Sequence, residues 1–496
     1  MYISTRGNIE KQTAAQAIAL GMVPQGGLFV PETIPHVDWQ ELKGKNYAGL
    51  ALKIMNLFLD DLPPEVLDEA VKVYGDGRFD TTNPVPLTDV GNCGILELWH
   101  GPTAAFKDMA LQVLPYLLAS SIKTIGLQSE VLILTATSGD TGKAALEGFK
   151  DVPGTKIAVF YPDGGVSPVQ ERQMITTGGS NTYVAAVKGN FDECQTAVKN
   201  IFSSPVLKQK LAQKNLVFSS ANSINWGRLM PQIVYYFWAY LQAAEGGKIK
   251  PGEQINIVVP TGNFGNILAA YYAKRMGLPL AYLICASNKN NVLTDFFRNG
   301  VYDSKRPFFL TSSPSMDILI SSNFERFLYE MSGRDDEKIR SWFADLTTKG
   351  KFEADGQTLQ ECRHNMIAGW ASEEGVAETI RQVYEEFDYL LDPHTAVGMK
   401  VYADYRKKNG DETYTVVTST ASPFKFAHHV LNALNGDTGN ESDPWEALYS
   451  LSERTGWEIP IGLKSLSQKA AQRVTRCNPD EINEYLIREF SLGTCI

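Results

Sequence analysis

Gln254-Ile-Asn-Ile-Val-Val-Pro-Thr-Gly-Asn-Phe-Gly-Asn266 establishes the architecture of this chain. Its first part is rich in Ile and Val and reads as a strand buried on both faces. Two glycines in a short polar turn follow, and then a stretch from 266 to 276 that reads as a helix. Strand, glycine-rich turn and helix in that order make the repeating unit of a parallel sheet.

The same unit recurs along the chain. Val131-Leu-Ile-Leu-Thr135 reads as a buried strand and 143–150 as its helix. The strand at 156–161 precedes a helix at 167–175, 181–187 precedes 191–202, and 215–219 precedes a long helix at 228–244. Tyr414-Thr-Val-Val-Thr418 leads into a helix at 426–434. Each polar, glycine- or hydroxyl-rich motif falls just after a strand and just before a helix. Open parallel sheets bind their ligands there, where helix N-termini point.

Composition narrows the function. At 496 residues the chain exceeds one core, with 44% hydrophobic and 21% charged residues and no repeat;. The formal charge is −10 with the basic residues dispersed, so nucleic acid is not an expected partner;. No uncharged apolar run reaches membrane-spanning length, the segment 233–244 fitting a buried helix better, and no membrane partner is expected;. Six cysteines without a CxxC pair and a start without a signal-type apolar core point to reduced thiols in the cytoplasm;. The six histidines show no ligand spacing, and no metal is expected;.

One lysine stands out. In His100-Gly-Pro-Thr-Ala-Ala-Phe-Lys-Asp108, Lys107 follows a Gly-Pro turn inside an apolar frame of Ala104, Ala105, Phe106 and Met109. Burial removes ammonium solvation, and the neutral amine that results attacks aldehydes. The loop Gly262-Asn-Phe-Gly-Asn266 can bring backbone N–H groups and a helix dipole to a phosphate. It is neither GxGxxG nor a Walker loop, which favours a small phosphorylated cofactor over a nucleotide. Thr137-Ser-Gly-Asp-Thr-Gly142 offers hydroxyls and amides to a second anion, and Asn222-Ser-Ile-Asn-Trp-Gly-Arg228 adds a guanidinium;. Thr418-Ser-Thr-Ala-Ser-Pro423 ends a strand with hydroxyls, any of which can bond a pyridine nitrogen without protonating it. An amine, a phosphate loop and a hydroxyl for a ring nitrogen are what pyridoxal 5'-phosphate requires.

Taken together these motifs resemble the threonine synthase family, and the resemblance covers most of the chain. It is carried by Tyr2-Ile-Ser-Thr-Arg-Gly7, Gly27-Leu-Phe-Val-Pro31, Leu96-Glu-Leu-Trp-His-Gly-Pro-Thr-Ala-Ala-Phe-Lys-Asp108, Thr135-Ala-Thr-Ser-Gly-Asp-Thr-Gly142, Tyr161-Pro-Asp-Gly-Gly-Val-Ser-Pro168 and Pro260-Thr-Gly-Asn-Phe-Gly-Asn266. It continues in Ser315-Met-Asp-Ile318, Ser322-Asn-Phe-Glu-Arg326, Asp392-Pro-His-Thr-Ala-Val-Gly398 and Ser419-Thr-Ala-Ser-Pro423. The resemblance implies an α/β protein of pyridoxal-phosphate fold type II, similar to the tryptophan synthase β chain. Two parallel-sheet α/β domains and an N-terminal domain are then expected. It implies Lys107 as the Schiff-base lysine and proton shuttle, and Gly262, Asn263, Phe264, Gly265 and Asn266 as the cofactor-phosphate loop. Thr420 is implied as the partner of the pyridine nitrogen, with Ser419 and Ser422 the next candidates. Asp140 is implied beside the cofactor ring, where many fold-type-II relatives carry Asn. Ser138 and Thr141 are implied to face the substrate, and Asn222, Ser223 and Arg228 its phosphate. The implied activity converts O-phospho-L-homoserine and water to L-threonine and phosphate, the last step of threonine biosynthesis.

The expected division is an N-terminal domain over 1–90, a large cofactor-binding domain over 91–124 and 225–440, a small substrate domain over 125–224 and a helical tail over 441–496. The section 299–374 reads as charged and partly helical, and its charge run Arg334-Asp-Asp-Glu-Lys338 is expected to be a solvated face without chemistry;. A monomer is expected, with a homodimer as the alternative. The competing functions are a related lyase such as a serine/threonine dehydratase, and a homologue that binds metabolites without catalysis.

Overall fold

The computed structural model describes residues 1–137, 139–436, 443–464, 466–472 and 474–492. Two sheets organise it. The larger runs, edge to edge, Met366–Trp370, Leu280–Ser287, Ile255–Pro260, Thr415–Ser419, Cys93–Glu97 and Leu87–Val90. All its pairs are parallel except the hairpin of Leu87–Val90 with Cys93–Glu97. Ile255–Pro260, Thr415–Ser419 and Cys93–Glu97 are buried along their whole length, as strands covered on both faces must be;.

The smaller sheet runs Thr475–Cys477, Thr182–Val187, Thr155–Pro162, Glu130–Ala136 and Leu216–Ser219, parallel throughout. Its helices begin where the side chains permit. Ser167 and Gln170 form a capping box at Pro168–Ile175, and Asn190 with Glu193 does the same at Phe191–Ser203;. The long helix expected over 228–244 is two pieces, Trp226–Leu229 and Pro231–Glu245. Pro231 starts the second, at a position whose N–H has no intrahelical use.

The C-terminal tail departs from expectation. Instead of an all-helical appendage, it supplies the edge strand Thr475–Cys477, and the Lys188 N–H donates to the Cys477 carbonyl at 2.9 Å. Ile482, Tyr485, Leu486 and Phe490 then join the apolar core of the smaller sheet, with Tyr485 edge-on to Phe160 at 5.7 Å. A three-residue strand is too short to announce itself by periodicity; the open edge at Thr182–Val187 selects it.

At the other end, Tyr2–Ser4 and Phe29–Pro31 form a small antiparallel pair. No helix among the described residues is long and apolar enough to cross a membrane.

The topology explains how distant motifs meet. The loop at 262–266, the hydroxyl motif at 418–423 and the Lys107 segment leave the carboxyl ends of three adjacent strands in the larger sheet. The segments at 137–142 and 222–228 leave two adjacent strands of the smaller one.

Candidate active site

Lys107 is positioned by a loop folded back on itself. Asp108 accepts hydrogen bonds from the Thr103 N–H at 2.8 Å and the Thr103 hydroxyl at 2.7 Å. Burial pushes its carboxyl up to about 6, against those two bonds. Gly101 allows the fold-back, since a Cβ there would stand 2.5 Å from the Asp108 Cβ. The loop is then laid against the strand end at Ser419: the Phe106 N–H donates to the Thr420 carbonyl at 2.9 Å, and the Ser422 N–H to the Ala104 carbonyl at 3.1 Å. Lys107 and Thr420 are thereby held side by side.

Lys107 is buried, with its Nζ 3.5 Å from Asp140 Oδ2 and 3.3 Å from Ser315 Oγ. Burial lowers its amine below the usual lysine range; Asp140 opposes that shift, and the charges of Lys425 and Arg228 reinforce it;. Asp140 opens the helix Asp140–Phe149, where the helix dipole favours a carboxylate;. Its other oxygen lies 2.7 Å from Lys425 Nζ and accepts from Gln170 Nε2 at 3.1 Å. Burial alone would raise this carboxyl, but Lys425 and Lys107 hold it well below the usual carboxylate range.

Ser315 was not anticipated as a site residue. It comes from the section 299–374, outside the charge run 334–338, and from a motif that carried the family resemblance without a role of its own. Its N–H donates to His394 Nε2 at 3.2 Å, and Asp392 orients that imidazole by accepting from Nδ1 at 2.8 Å. Its hydroxyl lies 3.4 Å from Asp140 Oδ2. Its carbonyl passes so close to Gly262 that a Cβ there would be 2.6 Å from the oxygen. Lys425 and Gln170, which meet Asp140, were not anticipated either. Phe424-Lys-Phe426 offers the same signal as Lys107, a lysine in an apolar frame; Gln170 was hidden behind its capping role.

The loop at 262–266 presents its backbone. Phe264 takes a left-handed conformation, φ 64°, and buries its ring against Phe324 and Phe327 at 5.0 and 5.3 Å. Asn266 turns its Oδ1 to the hydroxyls of Tyr235, at 2.6 Å, and Tyr236. Its buried Nδ2 has no partner among the described residues. Neither the Asn266 oxygen nor the Phe264 ring is free for a ligand, which leaves the N–H groups of the two residues as what they can offer one. From Gly262 to Asn266 none of those N–H groups has an acceptor among the described residues.

Around the loop, Asn263 Oδ1 accepts from the Ser322 hydroxyl at 3.2 Å, which lies 3.3 Å from the Ser223 hydroxyl. Ser223 is thus brought to the loop, whereas Asn222 is exposed. Asn225 rather than Asn222 or Ser223 caps the short helix Trp226–Leu229. Trp226 is core, packed on Tyr2, Phe58 and Tyr272.

Arg228 is buried, donates to the Ala221 carbonyl at 2.7 Å, and has no carboxylate partner among the described residues. Burial lowers its guanidinium to about 10. A buried cation with no carboxylate partner among the described residues can receive an anion.

Of the candidate hydroxyls at the strand end, Ser419 accepts from Trp99 Nε1 at 3.0 Å and from Thr395 at 3.1 Å. Ser422 caps the turn Pro423–Phe426 through Phe424. The Thr420 hydroxyl has no partner among the described residues, and neither has that of the half-buried Thr141. Ser138 lies outside the described residues.

These residues fit pyridoxal phosphate: an amine depressed by burial, a set of free N–H groups with an orphaned amide for a phosphate, and an unclaimed hydroxyl for a ring nitrogen. Family profiles agree. Residues 1–73 match the one described as threonine synthase N terminus, 95–420 pyridoxal-phosphate dependent enzyme, and 395–482 threonine synthase, C-terminal. The threonine synthase of Saccharomyces cerevisiae is 38% identical over 470 residues, 88% of this chain and 89% of its own. The Homo sapiens protein threonine synthase-like 1 is 39% identical over 464 residues, 89% of this chain and 62% of its own. The solved structure of pyridoxal-phosphate-bound threonine synthase from Brucella melitensis superposes with a TM-score of 0.87 at 37% identity, covering 99% of each chain.

Proposed function

The chain belongs to the threonine synthase family of pyridoxal-phosphate-dependent enzymes, and on that premise we propose that it converts O-phospho-L-homoserine and water to L-threonine and phosphate. The observation that carries this reading is Arg228, a buried guanidinium with no carboxylate partner among the described residues, whose charge reaches Lys107. A substrate with one anionic group is served by the amides and hydroxyl near Thr141. A second, dianionic group calls for a buried cation of its own.

When bound, pyridoxal phosphate supplies an electron sink for negative charge at the carbon next to the substrate nitrogen. In this reading the free N–H groups from Gly262 to Asn266, with Asn266 Nδ2, hold its phosphate. The Thr420 hydroxyl bonds its ring nitrogen and leaves that nitrogen's electron demand moderate, which suits elimination over transamination. Asp140 stands beside the ring, and Thr141 faces the substrate.

Lys107 carries the cofactor and then acts as the base. It takes the proton from the substrate Cα and moves protons at Cβ and Cγ, positions one lysine reaches by rotation of its stem. Arg228 and Ser223 stabilise the phosphate as it leaves Cγ, and water then adds at Cβ. We read the two sheets as two domains whose approach excludes water until that last addition.

The test is incubation of the cofactor-loaded chain with O-phospho-L-homoserine, assaying threonine and phosphate together. Equal amounts of both are expected. Formation of a 2-oxo acid from serine or threonine, with phosphohomoserine untouched, would replace this reading with a dehydratase; binding without any turnover would leave a metabolite-binding protein.

A further inference from the structure

Two buried amines share one buried carboxylate. Asp140 Oδ1 lies 2.7 Å from Lys425 Nζ, while Oδ2 lies 3.5 Å from Lys107 Nζ. The first distance is that of a close charge-assisted hydrogen bond; the second is at the outer limit of a contact. Lys425 is further anchored by donating to the Thr103 carbonyl at 3.0 Å, and its side chain is 1% exposed. Gln170 completes Oδ1, and Ser315, a neutral hydroxyl, shares Oδ2.

Among the described residues the charges that act on Lys107 are Asp140 from the helix Asp140–Phe149, Lys425 from the turn Pro423–Phe426, and Arg228 from the helix Trp226–Leu229. Asp108, the next residue, is turned to Thr103. Asp108 feels the charge of Lys425 but is bonded to Thr103, so Asp140 is the one carboxylate in contact with either amine among the described residues. It cannot fully compensate two buried ammonium groups beside a guanidinium, and an uncompensated buried charge is costly.

We propose that Lys425 is a positioning residue for Lys107: by closing the ion pair with Asp140, it leaves Lys107 as the surplus, unprotonated amine that captures pyridoxal phosphate. In the capture, the Nζ lone pair bonds to the aldehyde carbon and the carbonyl oxygen leaves as water with both amine protons. The depressed amine of Lys107, caused by burial and by the positive charges of Lys425 and Arg228 against Asp140, agrees with this division. The inference depends on the family's cofactor and not on the substrate, so failure to make threonine leaves it standing.

The experiment follows the rate at which the full-length chain, freed of cofactor, recaptures pyridoxal phosphate between pH 6 and 10, read as visible absorbance. In Lys425→Met, Asp140 has only Lys107 to pair with, and the pH midpoint of capture rises by about one to three units. Lys425→Arg keeps the charge and the midpoint. The double variant Lys425→Met with Asp140→Asn removes both members of the pair and returns the midpoint toward the unmodified value. Should Lys425→Met fail to fold, Lys425→Gln retains a hydrogen bond without the charge and is expected to show the same rise. A folded Lys425→Met or Lys425→Gln with an unmoved midpoint overturns the proposal, as does a double variant whose midpoint stays raised. A merely structural lysine would lower the melting temperature without moving the midpoint.

Discussion

Gly262 and the carbonyl of Ser315 are packed so closely that no side chain fits between them: a Cβ at Gly262 would stand 2.6 Å from that oxygen. Through this contact the loop at 262–266 and the segment that touches Lys107 are held as one unit. The glycine serves the close approach of protein backbone.

Gly262→Ala is accordingly expected to displace Ser315 and to weaken cofactor retention about tenfold or more, the effect of overpacking by roughly 1–3 kcal/mol. Gly265→Ala is the control, because its Cβ would meet Asn323 Nδ2 at an ordinary 3.5 Å. Cofactor content after gel filtration checks the pair. Equal retention in both variants would mean that the Ser315 contact yields without consequence.

Thr420→Val and Ser419→Ala separate a ligand-facing hydroxyl from a structural one. The first removes a hydroxyl that no described residue uses; it is expected to shift the absorbance of the bound cofactor and slow turnover about fivefold or more, one hydrogen bond's worth, with stability unchanged. The second leaves the Trp99 Nε1–H without an acceptor and is expected to cost about 1–3 kcal/mol in denaturant unfolding. The reverse pattern would transfer the ring-nitrogen role to Ser419.

Arg228→Lys keeps the charge and loses the planar fork. Turnover of O-phospho-L-homoserine is expected to fall roughly ten- to a hundredfold, the scale of one charged hydrogen bond. Spectral titrations with amino acids lacking a phosphate are expected to stay nearly unchanged. Equal loss for both kinds of ligand would assign Arg228 to the carboxylate or to the fold.

His100 makes stability depend on pH. Its two ring nitrogens face Asp80 and Glu97, each at 2.7 Å. Burial alone would lower the imidazole, but the two carboxylates win and raise it from 6.5 to about 9. A raised folded-state value means the contribution is whole below about pH 6.5 and is lost as pH rises through about 9. The melting temperature is expected to fall over that window. In His100→Gln it starts lower and the difference narrows as pH rises; a constant difference would show that the imidazolium is not the cause.

The strands and their helices were legible in the residues, because burial on both faces leaves a run of Ile, Val and Leu that any parallel sheet must show. Lys107 was legible for a related reason: an apolar frame around a lysine is a local signal. The long helix broke at Pro231, and the edge strand Thr475–Cys477 stayed hidden, since three residues carry no period.

The linear order of residues therefore determined the sheet class, the loops at the strand ends and the buried lysine among them. What it left open was pairing. Asp140 meets Lys425 across 285 positions of chain (425 − 140) and Lys107 across 33, and its choice at 2.7 against 3.5 Å follows from which strands are neighbours. Ser315 reaches the site because Gly262 lets its backbone pass, and of Ser419 and Thr420 only the second keeps a hydroxyl without a partner among the described residues, since Trp99 and Thr395 occupy the first. Periodicity is written in neighbouring residues, whereas the partner of a buried charge is set by chain crossings that local pattern does not encode.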